Sequence, residues 1–125
     1  MSVPNADRRK KSVGASGEQL AADYLSAQGY AILARNYRAG HNEIDIIAEN
    51  GGGIVVVEVK ARGTLYDTPP REAVTAVKQA RIIAAAEQYL AENEAFDKFV
   101  RFDVIEVFAD RIIHIRRAFD LPYES

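Results

Sequence analysis

Two stretches put charge where apolar strands are expected: Glu43-Ile44-Asp45-Ile46-Ile47 and Ile54-Val55-Val56-Val57-Glu58-Val59-Lys60. An ionised group among β-branched residues is costly unless it is paired or holds a metal. The run Ile54–Val57 reads as a strand covered on both faces, and it continues directly into Glu58. Side chains alternate along a strand, so Glu58 shares a face with Lys60, and Glu43 with Asp45. A hairpin pairing Glu49 with Ile54 sets Asp45 opposite Glu58 and Glu43 opposite Lys60, with Cβ atoms about 4.5–5.5 Å apart. A slip of one residue would send the two carboxylates to opposite faces.

Three acids and a lysine in one cluster have two readings. Neighbouring carboxylates resist joint ionisation without a cation between them. Two acids with open positions suit Mg²⁺, with Mn²⁺ as a substitute, because these hard ions take oxygen ligands and keep several waters. Such an ion polarises a phosphoryl oxygen and lowers the pKa of a bound water, and Lys60 would orient that water or offset charge in the transition state. The other reading is an ion-paired cluster on a sheet face with a structural role alone. Glu-x-Lys by itself is no motif, since roughly one chain in two of this length carries it by chance. Its setting, in an apolar strand beside Glu-x-Asp, is the informative part.

The elements that would position these residues are legible. Ser16-Gly17-Glu18-Gln19 has the capping-box pattern with Ser16 as N-cap. Leu20, Ala21, Tyr24, Leu25 and Gln28 then fall on one helical arc, and Gly29 supplies the stop. Glu18 stands at the edge of that arc, where an acid also suits the helix dipole. Tyr30–Tyr37 reads as a strand ending in a basic loop with Arg35, Arg38 and His41. Glu43–Glu49 and Ile54–Ala61 are strands joined by the loop Asn50–Gly53, whose glycines can take positive φ. Residues 63–70 read as a loop closed by Pro69 and Pro70. From Thr75 to about Glu92 a long helix carries the stripe Gln79, Ile82, Ile83, Ala86, Tyr89 and Leu90. Gln79 stands where an aliphatic residue is expected, flanked by Lys78 and Arg81. Phe99–Phe108 and Arg111–Arg116 form a second hairpin, in which Arg101-Phe102-Asp103 reads as sheet-edge ion pairing. His41 and His114 read as incidental. The order α-β-β-β-α-β-β describes an α/β fold, a mixed sheet with flanking helices.

Composition supports one domain. The chain has 125 residues, 48% hydrophobic and 27% charged, which fits a single folded unit rather than a disordered chain. With no cysteine, a disulfide framework, a cysteine nucleophile and an iron–sulfur cluster are excluded. No apolar run approaches the ~20 residues of a spanning helix, and the basic start lacks a signal-peptide core, so the expected address is cytoplasmic with no membrane partner. Residues 1–13 carry +3 and read as a flexible basic arm, leaving −5 on a domain over 14–125. That acidity argues mildly against nucleic acid, unless converging carboxylates hold a cation that meets the phosphate.

Asp45 and Glu58-x-Lys60, with Glu18 on a preceding helix, resemble the PD-(D/E)xK nuclease superfamily and its restriction-endonuclease-like core. The closer resemblance is to the YraN-type uncharacterised family, related to archaeal Holliday-junction resolvases. It spans about Gly17 to Phe119, through Gly17-Glu18, Gly29-Tyr30, Glu43-Ile44-Asp45-Ile46-Ile47-Ala48, Val57-Glu58-Val59-Lys60-x-Arg62, Glu72-Ala73-Val74, Lys78-Gln79 and Arg101-Phe102-Asp103-Val104. Asn42 stands where the family usually has glycine, and Ile44 fills the proline slot of the superfamily motif. The resemblance implies an Mg²⁺-dependent endonuclease acting on DNA phosphodiesters, at branched, Holliday-junction-like structures, as a homodimer. It implies metal ligation by Asp45, Glu58, the Val59 carbonyl and Glu18, and service of the attacking water by Lys60. Glu43 and Gln79 would support the site, and Arg35, Arg38, Arg62, Lys78 and Arg81 would contact nucleic acid. The alternative is a module of the same fold that binds nucleic acid or protein without cleaving.

Overall fold

The structure, a computed structural model, describes residues 13–62 and 74–121, with side chains in the first helix described from Gly17 onward. The expected basic arm, apart from Val13, and the expected loop at 63–70 lie outside the described residues. Among these, the elements run α1 (Val13–Ala27), β1 (Ala31–Ala39), β2 (Asn42–Asn50), β3 (Gly53–Ala61), α2 (Ala76–Glu92), β4 (Val100–Val107) and β5 (Ile112–Phe119). The five strands form one mixed sheet in sequence order, β1-β2-β3-β4-β5. Only β3 and β4 are parallel, and α2 makes the crossover between them, because a parallel pair cannot be joined by a tight turn.

One helix covers each face. Ile54 and Val56 of β3 pack with Ile82, Ala86 and Leu90 of α2. Val55 and Val57 pack with Ala21, Ala22 and Leu25 of α1. All four β3 residues are buried, as the unbroken β-branched run requires. Strand β3 is therefore the spine of the molecule, and its polar end, Glu58 to Arg62, emerges from between both helices.

The first helix differs from expectation in two ways. It begins at Val13, so Ser16 lies inside it rather than capping it; extending a formed helix adds one hydrogen bond per residue fixed. Its buried line is Gly17, Ala21 and Leu25 with Ala22, whereas Leu20 is half exposed and Gln28 exposed. The small residues allow close approach to the sheet, and a Cβ on Gly17 would meet the Ala61 Cβ at 3.3 Å. Small residues at Gly17, Ala21 and Ala22, together with the fully buried Leu25, orient this helix. It ends as expected at Gly29, with φ of 92°. The Gly29 N–H donates to the Ser26 carbonyl and the Tyr30 N–H to Leu25, the paired bonds of a Schellman stop.

The expected Glu49–Ile54 pairing is present, and the loop between them is shorter than expected. Asn50 pairs with Gly53 around a two-residue turn, Gly51-Gly52, with φ of 61° and 82°. Positive φ at both central positions matches the right-handed twist of the strands. Strand β4 begins after Phe99, whose ring is exposed while its carbonyl accepts the Ile54 N–H at 2.7 Å. Strand β5 runs on to Phe119.

Candidate functional site

The β2–β3 ladder stops at Ile46–Val57, so β2 from Asn42 to Asp45 has no partner on β3. Beyond that point β2 stays paired with β1 as far as Asn42, and β3 stays paired with β4 as far as Ala61. The sheet forks there. Asp45 and Glu58 are thus not the directly opposed ladder pair that the register implied, and neither are Glu43 and Lys60. At the fork the Asp45 carboxylate takes the place of a backbone acceptor: Oδ2 receives the Val59 N–H at 2.7 Å.

Alternation also inverts at this point. Ile46 and Ala48 pack on the α1 side, while Ile44 and Ile47 pack on the α2 side. Across the ladder Asn36 adopts φ of 51°, and Ala34 and Tyr37 both pack on the α2 side. The three-residue step between same-side residues is centred on Asn36 and Asp45. Strict alternation therefore does not place Glu43 with Asp45; a shared cleft does.

That cleft, of about 240 Å³, is lined by His41, Asn42, Glu43, Asp45, Glu58, Lys78, Arg81 and Ile82. Its strand wall is acidic. Its helix wall is basic, carrying Lys78 and Arg81 one turn apart beside the N-terminus of α2, whose exposed N–H groups add partial positive charge. Thr75 caps this helix by accepting the Lys78 N–H at 3.1 Å. Gln79 Nε2 donates to the Val74 carbonyl at 2.8 Å, fixing the approach to the helix. Glu58 is 13% exposed and pairs with Lys78 at 3.4 Å.

Among the described residues Asp45 has no such partner. Burial first, then the Glu58 carboxylate, raise its pKa to about 7; the Val59 N–H opposes the rise, and Glu18 and Glu43 add to it. Three carboxylates, Glu58, Glu18 and Glu43, thus act on Asp45. Among the described residues no three His, Cys, Asp or Glu side chains form a metal cage. Glu18, Val59 and Lys60 are not among the residues that line the cleft, whereas Asp45 and Glu58 line it and make an open donor set. Such a set fits a hard divalent ion that keeps its own waters, and a closed structural site is the wrong comparison.

The other sequence-derived residues are placed as follows. Lys60 is half-buried, two residues beyond Glu58 on the same strand, and makes no hydrogen bond or ion pair among the described residues. Arg38 pairs with Glu43 at 3.2 Å. Arg35 donates to Gln19 Oε1 at 2.8 Å, tying β1 to α1. Arg62 is drawn inward to the buried Glu106 at 3.4 Å and does not line the cleft.

Sequence reasoning missed a second polar centre. Asp103, expected in an edge ion pair, is buried under α1 and receives Arg101 Nε at 2.9 Å, Arg101 Nη2 at 2.8 Å and the Arg117 N–H at 3.0 Å. His114 is not incidental: its Nε2 lies 2.7 Å from Asp103 Oδ2 and its Nδ1 3.0 Å from the Tyr24 hydroxyl. Burial pushes the Asp103 carboxyl up, but hydrogen bonds from His114, Arg101 and the Arg117 N–H outweigh it and hold it below its usual value. The signal in the sequence was parity, since Arg101, Asp103 and Ile105 share one side of β4 and Ile105 packs under α1.

Known proteins place the chain. A relative from Persephonella marina, described as a UPF0102 protein, is 44% identical over 88% of this chain and 95% of its own length. One from Chlorobium limicola is 46% identical over 94% of this chain and 92% of its own. Among solved structures, Pyrococcus furiosus SfsA in complex with Ca²⁺ aligns with 90% of this chain and 65% of its own, at 17% identity and a TM-score of 0.33. No helix among the described residues is long and apolar enough to cross a membrane. The sequence profile of one family, uncharacterised protein family UPF0102, matches residues 17–107, and the chain belongs to that family.

Proposed function

We propose that this protein is a metal-dependent phosphodiesterase of restriction-endonuclease-like fold that hydrolyses DNA, with Mg²⁺ as its ion and Mn²⁺ as a substitute. The observation that carries this reading is the two-walled cleft at the sheet fork. Acids at Glu43, Asp45 and Glu58 face a wall bearing Lys78 and Arg81. A phosphodiester needs both charges: anionic ligands for the ion that meets its oxygens, and cations for its remaining charge.

Asp45, Glu58 and the Val59 carbonyl would hold the ion, with Glu18 reaching it directly or through water. The chemistry such an ion would supply there is Lewis-acid activation of the phosphodiester and of a water. Lys60, on the strand two residues from Glu58, orients that water or offsets the charge that builds up at phosphorus. Lys78 and Arg81 hold the phosphate from the helix side. Asp45 bridges β2 and β3 at the fork by accepting the Val59 N–H, which holds its carboxylate in place.

The test is cleavage of nicked, flapped and branched DNA in Mg²⁺ by wild type, Asp45→Ala, Glu58→Ala and Lys60→Ala. Activity should vanish in all three, with metal binding retained only in Lys60→Ala. Salt-sensitive DNA binding without cleavage, indifferent to Mg²⁺, would replace this reading with a non-catalytic binding module.

A further inference from the structure

Lys78 is the only cation paired with Glu58 among the described residues, at 3.4 Å, and it is half exposed while Glu58 is nearly buried. Its position is unusual. It lies in the first turn of α2, which contains no acidic residue, where the helix dipole disfavours a cation. A lysine placed there is offset by the acid wall across the cleft. Its ammonium and a divalent ion would compete for the same Glu58 oxygens.

We infer that Lys78 is an exchangeable counter-ion that couples metal binding to phosphate binding at this cleft. The inference rests on the proposed metal-dependent reading and deepens it. In the metal-free protein Lys78 neutralises Glu58. A phosphate entering between the walls gives the ammonium a second anion, at the mouth of the cleft, where its flexible stem can reach. Lys78 then leaves Glu58, and both carboxylates become available to the ion. Phosphate binding therefore tightens metal binding, and by reciprocity the metal tightens phosphate binding by the same factor. Free ions are held poorly and ions are retained when substrate is present. Arg81, one turn further along, has no ion pair among the described residues, so it holds phosphate without this exchange.

The experiment follows the free Mn²⁺ signal by electron paramagnetic resonance while full-length protein is added, with and without a short DNA duplex of hydrolysis-resistant linkages. The variants are Lys78→Met, which removes the charge, Lys78→Arg, which keeps it, and Asp45→Asn, with folding checked by circular dichroism. Without DNA, Lys78→Met should bind Mn²⁺ about three- to five-fold tighter than wild type, the scale of a partly exposed ion pair. The tightening produced by DNA should shrink by the same factor, and Lys78→Arg should stay near wild type. Equal Mn²⁺ affinity in wild type and Lys78→Met, with binding lost in Asp45→Asn, would overturn the exchange while leaving the metal site standing. No Mn²⁺ binding by any form, with or without DNA, would overturn both.

Discussion

Asp45 and Asp103 are the same residue type, each set among apolar neighbours in a strand of one sheet, and their surroundings are opposite. Asp103 receives a two-point arginine contact, a histidine and a backbone N–H, and its carboxyl is held below the usual value. Asp45 receives one backbone N–H and faces three carboxylates, and its carboxyl is pushed up to about 7. A charge whose partners are all supplied by the fold belongs to the structure. A charge left short of counter-charge is available to something the fold does not supply. Both lie at breaks in a ladder: Asp103 is paired with Val57 of β3 and sits at the β4–β5 irregularity between Phe102 and Val104, where the Arg117 N–H turns to it, whereas Asp45 sits where β2 and β3 part.

The largest test of that contrast is Asp103→Asn. It leaves the Arg101 guanidinium and His114 without their carboxylate, and should cost about 3–5 kcal/mol in urea unfolding. For a domain with ordinary stability that is a large share of the whole. Next, Mg²⁺ at about 100 times its Kd should stabilise wild type by roughly 2.7 kcal/mol at pH 8, and leave Asp45→Asn unmoved. Third, Asp45→Asn without metal should be more stable than wild type at pH 8, by about 1–2 kcal/mol after allowance for its partial exposure. The sign is fixed by the raised native pKa. The native state holds the Asp45 proton more tightly than the unfolded chain, so stability is full below about pH 4 and falls as pH rises through about 7. The gain from Asp45→Asn should accordingly fade by pH 4 in thermal melts. Asp103 has the reverse dependence: its contribution is present at neutral pH and is lost on acidification through its depressed native pKa. Smallest, Tyr24→Phe keeps the ring edge-on to His114 but removes the hydroxyl at Nδ1, and should cost about 1 kcal/mol.

Much of this was readable from local pattern. The β-branched run of β3, the stripe of α2 and the stop at Gly29 each rest on one residue's neighbours in sequence. So did the set of acids at the cleft, because charge within an apolar strand is visible without coordinates. What was not readable depended on two strands at once. The fork after Ile46–Val57 is a failure of pairing, and the inversion at Asp45 needs Asn36 across the ladder. Lys78 and Glu58 are twenty residues apart on different elements, and only the packing of α2 on β3 brings them together. Leu20 is half exposed because the helix turns Gly17 and Ala21 to the sheet, where even a Cβ on Gly17 would crowd the Ala61 Cβ at 3.3 Å. His114 misled for a similar reason, as its partners Tyr24 and Asp103 come from a helix and a neighbouring strand.

The most direct measurement is isothermal titration of Mn²⁺ into wild type and Asp45→Asn at pH 7.5 to 8, repeated with a DNA fragment present. Saturable binding to wild type that disappears in a folded Asp45→Asn is the expected result, and would identify the missing counter-charge as a divalent cation. Equal binding by both proteins, or none by wild type even with DNA, would contradict it and leave the cleft an ion-paired feature of the fold.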